Sequence, residues 1–250
     1  MVEVQCPLSL VRALTFDVFG TVVDWRGSII RYGAELEAEL ETGIDWPMFA
    51  DAWRAAYRPS MDCVRRGDLP WTNLDSLHRR SLDRLAPAFG LDALGADQMD
   101  RLNRVWHRLE PWADVVPGIE RLGRRYIIAT LSNGNLALLI NMAKRAGLRW
   151  DAILSAELFR RYKPDPDVYT GAAELLGLEP AEVMMVAAHS DDLEAARSVG
   201  LRTGYVHRPF EHGRDRYHRV PKEAGFDVYA ADFGELASKL RLMHAAGKEP

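Results

Sequence analysis

Only two cysteines, Cys6 and Cys63, occur in the 250 residues. Neither has Cys or His neighbours at ligand spacing, which excludes a zinc-binding framework and a disulfide scaffold, and both are expected to stay reduced. Long apolar runs are missing as well. Glu3 and Arg12 flank a short apolar stretch, too little for a signal peptide or a membrane span, so a cytoplasmic location without a membrane partner is expected. Positive charge is not in excess. A net charge of −4 and a pI near 6.0 offer little attraction to nucleic acid or an anionic bilayer, and a small molecule is the expected partner. There is no internal repeat and no low-complexity tract.

With 48% hydrophobic and 27% charged residues, the chain can bury a sizeable core, either as one large domain or as a core with an insertion. The most informative stretch is Ala13-Leu-Thr-Phe-Asp17-Val-Phe19-Gly20-Thr21. Residues 11–16 form a short apolar run that reads as a buried strand, and it stops at an aspartate followed by a glycine turn. That places a carboxylate at the C-terminal end of a strand, the edge of an α/β sheet where ligands bind.

Residues 31–41, 46–57, 73–85 and 97–109 carry helical periodicity with no convincing strand between them. Six of the seven tryptophans (25, 46, 53, 71, 106 and 112) fall in or beside this segment, which predicts a small helical unit with an aromatic interior. After Pro117-Gly118 the pattern alternates: helix 119–125, strand 126–131, helix 136–146, strand 153–155, helix 167–176, strand 183–187, helix 192–199 and strand 203–206. Residues 207–224 read as a polar, basic loop, 227–229 as an edge strand and 233–243 as a final helix. Alternation of this kind predicts a doubly wound parallel sheet, with the helical segment inserted after the first strand. The expected division is a core of residues 1–23 and 113–250 and an insertion of 24–112.

On such a sheet Asp17, Ser132, Asn133, Lys163 and the Asp191-Asp192 pair all fall just past strand ends or at helix starts, on one edge. A nucleophilic carboxylate needs this company: a lysine keeps it ionised, a hydroxyl and an amide can fix an anionic substrate, and a second carboxylate can draw a proton from water. In order and kind, Asp17-Val-Phe-Gly-Thr21, Leu131-Ser-Asn133, Lys163-Pro-Asp and Met184-Met-Val-Ala-Ala-His-Ser-Asp-Asp192 resemble the four motifs of the haloacid dehalogenase superfamily over nearly the whole chain. The resemblance implies a Rossmannoid core, a helical cap in place of the insertion, and attack by Asp17 to give an aspartyl intermediate.

Most members of that superfamily are magnesium-dependent phosphatases, which place an acid two positions after the nucleophile and a metal-binding Asp four before the position of Asp192. Here these positions are Phe19 and Ala188. The chain is more similar to the L-2-haloacid dehalogenases, which need no metal or other cofactor and act on small halogenated carboxylic acids. That resemblance implies that Asp17, aided by Thr21 and Lys163, displaces halide from C2 with inversion. Ser132 would hold the substrate carboxylate, while Arg54 (in Trp53-Arg54), Phe19 and Asn133 surround the departing halide. Asp192 would activate the water that hydrolyses the ester, with Tyr169 in the same network. The better-known members carry Ser and Asn where this chain has Ala187 and His189, so His189 is expected to take over a proton-handling or donor role. The change leaves fluoroacetate or azetidine-2-carboxylate open as substrates. A magnesium phosphatase and a silent acid-binding protein remain the other readings, and a homodimer is possible, as in many relatives.

Overall fold

Strand β1 (Ala13–Phe16) is buried along its whole length, and its side chains alternate between two apolar layers. Leu14 and Phe16 join one cluster and Ala13 the other, as the two-residue period of a strand requires. The computed structural model describes residues 8–40, 43–221 and 224–246; Cys6 and the expected helix end at residue 41 lie outside them. After β1 the chain forms β2 (Val23–Asp24) and then the helices α1 (Trp25–Leu40), α2 (Trp46–Ala55), α3 (Tyr57–Arg65), α4 (Leu74–Leu85) and α5 (Ala96–Asn103). It returns through β3 (Glu110–Pro111), which pairs antiparallel with β2. The helical segment is thus entered and left through one two-stranded ladder.

The remainder alternates: α6 (Val115–Leu122), β4 (Ile127–Ser132), α7 (Leu136–Ala146), β5 (Ala152–Ser155), α8 (Ala156–Phe159), α9 (Pro166–Leu175), β6 (Val183–Ala187), α10 (Ser190–Ser198), β7 (Arg202–Val206), β8 (Val228–Ala230) and α11 (Phe233–Ala246). Six strands form one sheet in the order β5-β4-β1-β6-β7-β8, every neighbouring pair parallel. The α/β fold with a doubly wound parallel sheet is the one expected. The chain winds outward from β1 to β5, then crosses back to lay β6 against the other side of β1. Asp17 and the start of α10 therefore meet where the winding reverses, the place at which such sheets open a crevice.

Several boundaries differ from the sequence reading, each for a local reason. Helix α1 starts at Trp25 and not at residue 31, because the Asp24 carboxylate caps it by accepting the Gly27 N–H at 2.8 Å. The helix expected over 46–57 breaks at Ala56, and α3 follows with Pro59 in its first turn, where a missing N–H costs nothing. The polar sequence of α3 masked it. Residues 104–108 tighten into a 3₁₀ turn after α5. Pro117-Gly118 does not precede α6 but lies inside it; a Cβ on Gly118 would stand 2.3 Å from that of Phe233, so glycine is what lets α6 press onto α11.

Candidate active site

Asp17 leaves β1 with its N–H still in the sheet, donating to Val186 O at 3.0 Å, so the carboxylate is fixed from behind. Thr21 Oγ1 donates to Asp17 Oδ2 at 2.7 Å and is itself aimed by the Ala188 N–H at 2.9 Å. The turn between them needs Gly20, whose φ of +91° is open mainly to glycine. Lys163, on the segment between α8 and α9, sends Nζ to Asp17 Oδ1 at 3.1 Å and to Asp192 Oδ2 at 2.5 Å. Tyr169 on α9 donates to the other Asp192 oxygen at 2.5 Å. Asp192 lies in the first turn of α10 and is not its N-cap, a place held by His189.

The charges set one another. Burial works against ionisation of Asp17, but Lys163 and then His189 outweigh it and hold the carboxyl far below its ordinary 3.8. Burial raises Asp192 above that same value; Lys163 opposes the rise and the Asp17 charge adds to it. One carboxylate is thereby kept as a permanent anion while the other can accept a proton. Burial also works against the Lys163 ammonium, yet the two carboxylates raise it above 10.5.

The cavity above Asp17 has a volume of about 550 Å³ and is lined by Phe19, Trp25, Arg54, Tyr57, Asn133, Lys163, Tyr169, His189, Asp192 and Glu211 among others. Its apolar wall is aromatic: Phe19 meets Tyr57 and Trp106 edge-on at 6.2 and 5.8 Å. The Arg54 guanidinium lies over the Tyr57 ring at 4.3 Å and the Trp25 ring at 5.3 Å, and its buried Nη1 has no hydrogen-bond partner in the protein. A half-buried cation flanked by rings, with no carboxylate at ion-pair distance among the described residues, can serve as an anion receptor.

Every candidate named from the sequence lies in or directly beneath this cavity, though not all line it. Ser132 is fully buried and its Oγ accepts the Gly134 N–H at 3.1 Å; it is not part of the cavity wall. Asn133 does line it, and its side chain clamps the Lys163 backbone, accepting the Lys163 N–H at 2.8 Å. Two residues escaped the sequence reading. Tyr57 opens α3, the helix that was not expected, and Glu211 sits in the segment read as a basic loop yet is only 4% exposed. Nothing in the sequence set Glu211 apart from Asp215 and Glu223 in the same segment.

The donor set does not fit a magnesium ion. Lys163 Nζ stands between the two carboxylates that would share such an ion, and position 188 contributes a methyl group.

Comparison with known proteins agrees with this arrangement. The model of the haloacid dehalogenase-like hydrolase family matches residues 11–200. The (S)-2-haloacid dehalogenase 4A of Burkholderia cepacia is 30% identical over 208 residues, covering 79% of this chain and 83% of that protein. Among solved structures, the L-2-haloacid dehalogenase PA0810 is 47% identical with a TM-score of 0.87, over 93% of this chain and 99% of the other. A defluorinating L-2-haloacid dehalogenase is 45% identical, also at 0.87, over 92% and 95% of the two chains. The fold, the Asp17–Lys163–Asp192 triangle and these likenesses together place the chain in the haloacid dehalogenase-like hydrolases.

Proposed function

We propose that this chain is an (S)-2-haloacid dehalogenase, a hydrolase of carbon–halide bonds that converts L-2-haloalkanoic acids to D-2-hydroxy acids and halide through an ester on Asp17. The observation that carries the reading is Arg54: a half-buried side chain whose buried Nη1 has no partner in the protein, cradled by aromatic rings on the cavity that holds Asp17. Phosphoryl transfer needs an acid beside the nucleophile for the leaving alkoxide. A halide leaves as a stable anion, needs no proton, and gains from a cation in an apolar surround. The names of the 30% and 47% identical relatives support the same reaction.

In this reading the helical insertion, residues 24–112, is a cap over a core of residues 1–23 and 113–250. An Asp17 oxygen attacks C2 in line with the carbon–halogen bond, the halide moves toward Arg54 and Phe19, and configuration inverts. Backbone N–H groups of the turn after β1 hold the substrate carboxylate, since Ser132 lies off the cavity wall. Water then adds to the ester carbonyl and passes a proton to Asp192, whose Tyr169 and Lys163 partners orient it.

The direct test is halide release from the two enantiomers of 2-chloropropionate and from fluoroacetate, in EDTA. The expected result is EDTA-resistant release favouring the L enantiomer. Release of phosphate from esters only with magnesium, and no halide from any acid, would overturn the proposal. Fluoride release is the extension favoured by the 45% identical defluorinating relative.

Arg54→Leu should lower turnover of L-2-chloropropionate about a hundredfold, the usual cost of losing one charged transition-state contact. Loss should be smaller with the 2-bromo acid, whose bond breaks with less help. Equal losses for both halides would show that Arg54 does not meet the leaving group.

A further inference from the structure

Each ring nitrogen of His189 faces a carboxylate: Nδ1 lies 3.1 Å from Asp17 Oδ2 and Nε2 lies 2.9 Å from Glu211 Oε2. An ionised carboxylate only accepts hydrogen bonds, so both nitrogens carry protons and the ring is an imidazolium. Glu211 is held for this contact. Trp25 Nε1 donates to its Oε1 at 2.9 Å, and a Cβ at position 20 would stand 2.2 Å from that same oxygen, so the carboxylate fits only against glycine. The two oxygens of Asp17 are thus unequally engaged. Oδ2 takes both Thr21 and His189, while Oδ1 takes Lys163 alone.

We infer that Asp17 alkylates through Oδ1, that Thr21 and the His189 imidazolium form the oxyanion hole at Oδ2 for hydrolysis of the ester, and that Glu211 is the positioning residue that keeps His189 charged. The inference rests on the dehalogenase reading above. After Oδ1 has displaced the halide, Oδ2 is the ester carbonyl oxygen and already sits against two donors. Water adds to the Asp17 carbonyl carbon, its proton goes to Asp192, and the π electron pair moves onto Oδ2 against the imidazolium. Collapse expels the 2-hydroxy acid oxygen, which takes the proton from Asp192, and the restored Asp17 acid ionises to solvent. A donor preset at the developing charge is the arrangement that lowers such barriers most.

Alkylation removes one of the two anions beside His189, and Glu211 is what remains to hold its proton. The other titratable groups around it are Lys163 across Asp17, Arg54 from the cap, and His212 beside Glu211, which burial lowers below its ordinary value. Burial works against the imidazolium, but Glu211 and Asp17 raise it well above its ordinary 6.5. Burial works against ionisation of Glu211 too, and His189 nonetheless holds it at about 2.

The test compares wild type, Glu211→Gln and His189→Asn with L-2-chloropropionate. First-turnover chloride release reports alkylation, steady-state hydroxy-acid formation reports hydrolysis, and intact mass reports enzyme-bound ester; the chloride burst also counts folded sites. Glu211→Gln should slow hydrolysis about a hundredfold with far less effect on the burst, accumulate ester, and move the alkaline limb of kcat to lower pH. His189→Asn keeps a neutral donor, so it should hydrolyse slowly with no alkaline limb. An unmoved limb in Glu211→Gln, or equal slowing of burst and steady state, overturns the inference. An acidic limb that Glu211→Gln shifts would make His189 the water's base instead and also overturn it. A wild type that releases no chloride overturns the dehalogenase reading and the inference together, whereas a variant matching an active wild type in every phase overturns the inference alone.

Discussion

Asp17→Asn is expected to lose at least about 10⁴-fold in halide release, the scale on which nucleophile knockouts fall, and to carry no substrate-derived mass after incubation. The amide is isosteric with the carboxylate and can keep on its single oxygen either the Thr21 contact at 2.7 Å or the Lys163 contact at 3.1 Å, but it has no anionic oxygen to displace a halide. No neighbouring carboxylate can substitute. Asp192 has one oxygen on Lys163 and the other on Tyr169, and Asp191 is paired with Arg58 at the cavity mouth. The measurement is chloride release together with intact mass against wild type treated identically. Residual release within tenfold of wild type, with mass added elsewhere, would move the nucleophile to another residue.

The position of Asp17 was readable in the sequence because it follows from strand periodicity. Residues 13–16 are a mainly apolar run with only Thr15 polar, a parallel sheet buries both faces of such a strand, and the first charged residue after it must lie at the sheet edge. The same logic found Ser132 at the end of β4 and the acidic pair after β6. It did not assign their exposure: Ser132 and Asn133 are adjacent, yet only Asn133 reaches the cavity wall, because a one-residue step at the end of a strand turns the side chain to the opposite face.

What could not be read depended on contacts between distant segments. Glu211 is 22 positions from His189 and 186 from Trp25, in a stretch with no periodicity to mark burial, and its charge agreed with a surface loop. Tyr57 was hidden because the short apolar stripe Tyr57, Met61 and Val64 of α3 is interspersed with Arg58, Pro59, Asp62 and Arg65 and follows directly on α2. A third case is the contact between α4 and α7. Asp75 accepts from the Asn135 side chain, just before α7, at 2.9 Å, which ties the helical insertion to the sheet layer, and meets His107 of the insertion at 3.0 Å; nothing in the sequence pairs these residues.

Lys163→Met is the second large effect, and it should appear in both rate and stability. Among the described residues Lys163 is the one ammonium within bonding distance of both Asp17 and Asp192, so its removal leaves two buried carboxylates facing each other. Breaking a buried pair on one side costs about 3–5 kcal/mol, less whatever is recovered when one carboxyl takes a proton. The direction with pH follows from the shifts. Asp17 is depressed below 3.8 in the folded protein, so in wild type its contribution is present above that value and is lost as pH falls through the lower, folded one. Lys163 is raised above 10.5, so its contribution is full below 10.5 and disappears only as pH rises through the raised value. Without the lysine, burial and the Asp192 charge both push Asp17 upward. The variant should therefore regain part of its stability as acid protonates one carboxyl, where wild type is flat, and the acidic limb of its halide release should move toward neutrality. Thermal unfolding and first-turnover chloride release measured across pH 4–9 would show this. A variant with the wild-type pH profile in both would mean that Lys163 does not set the charge of Asp17, and that His189 and Thr21 alone keep the nucleophile ionised.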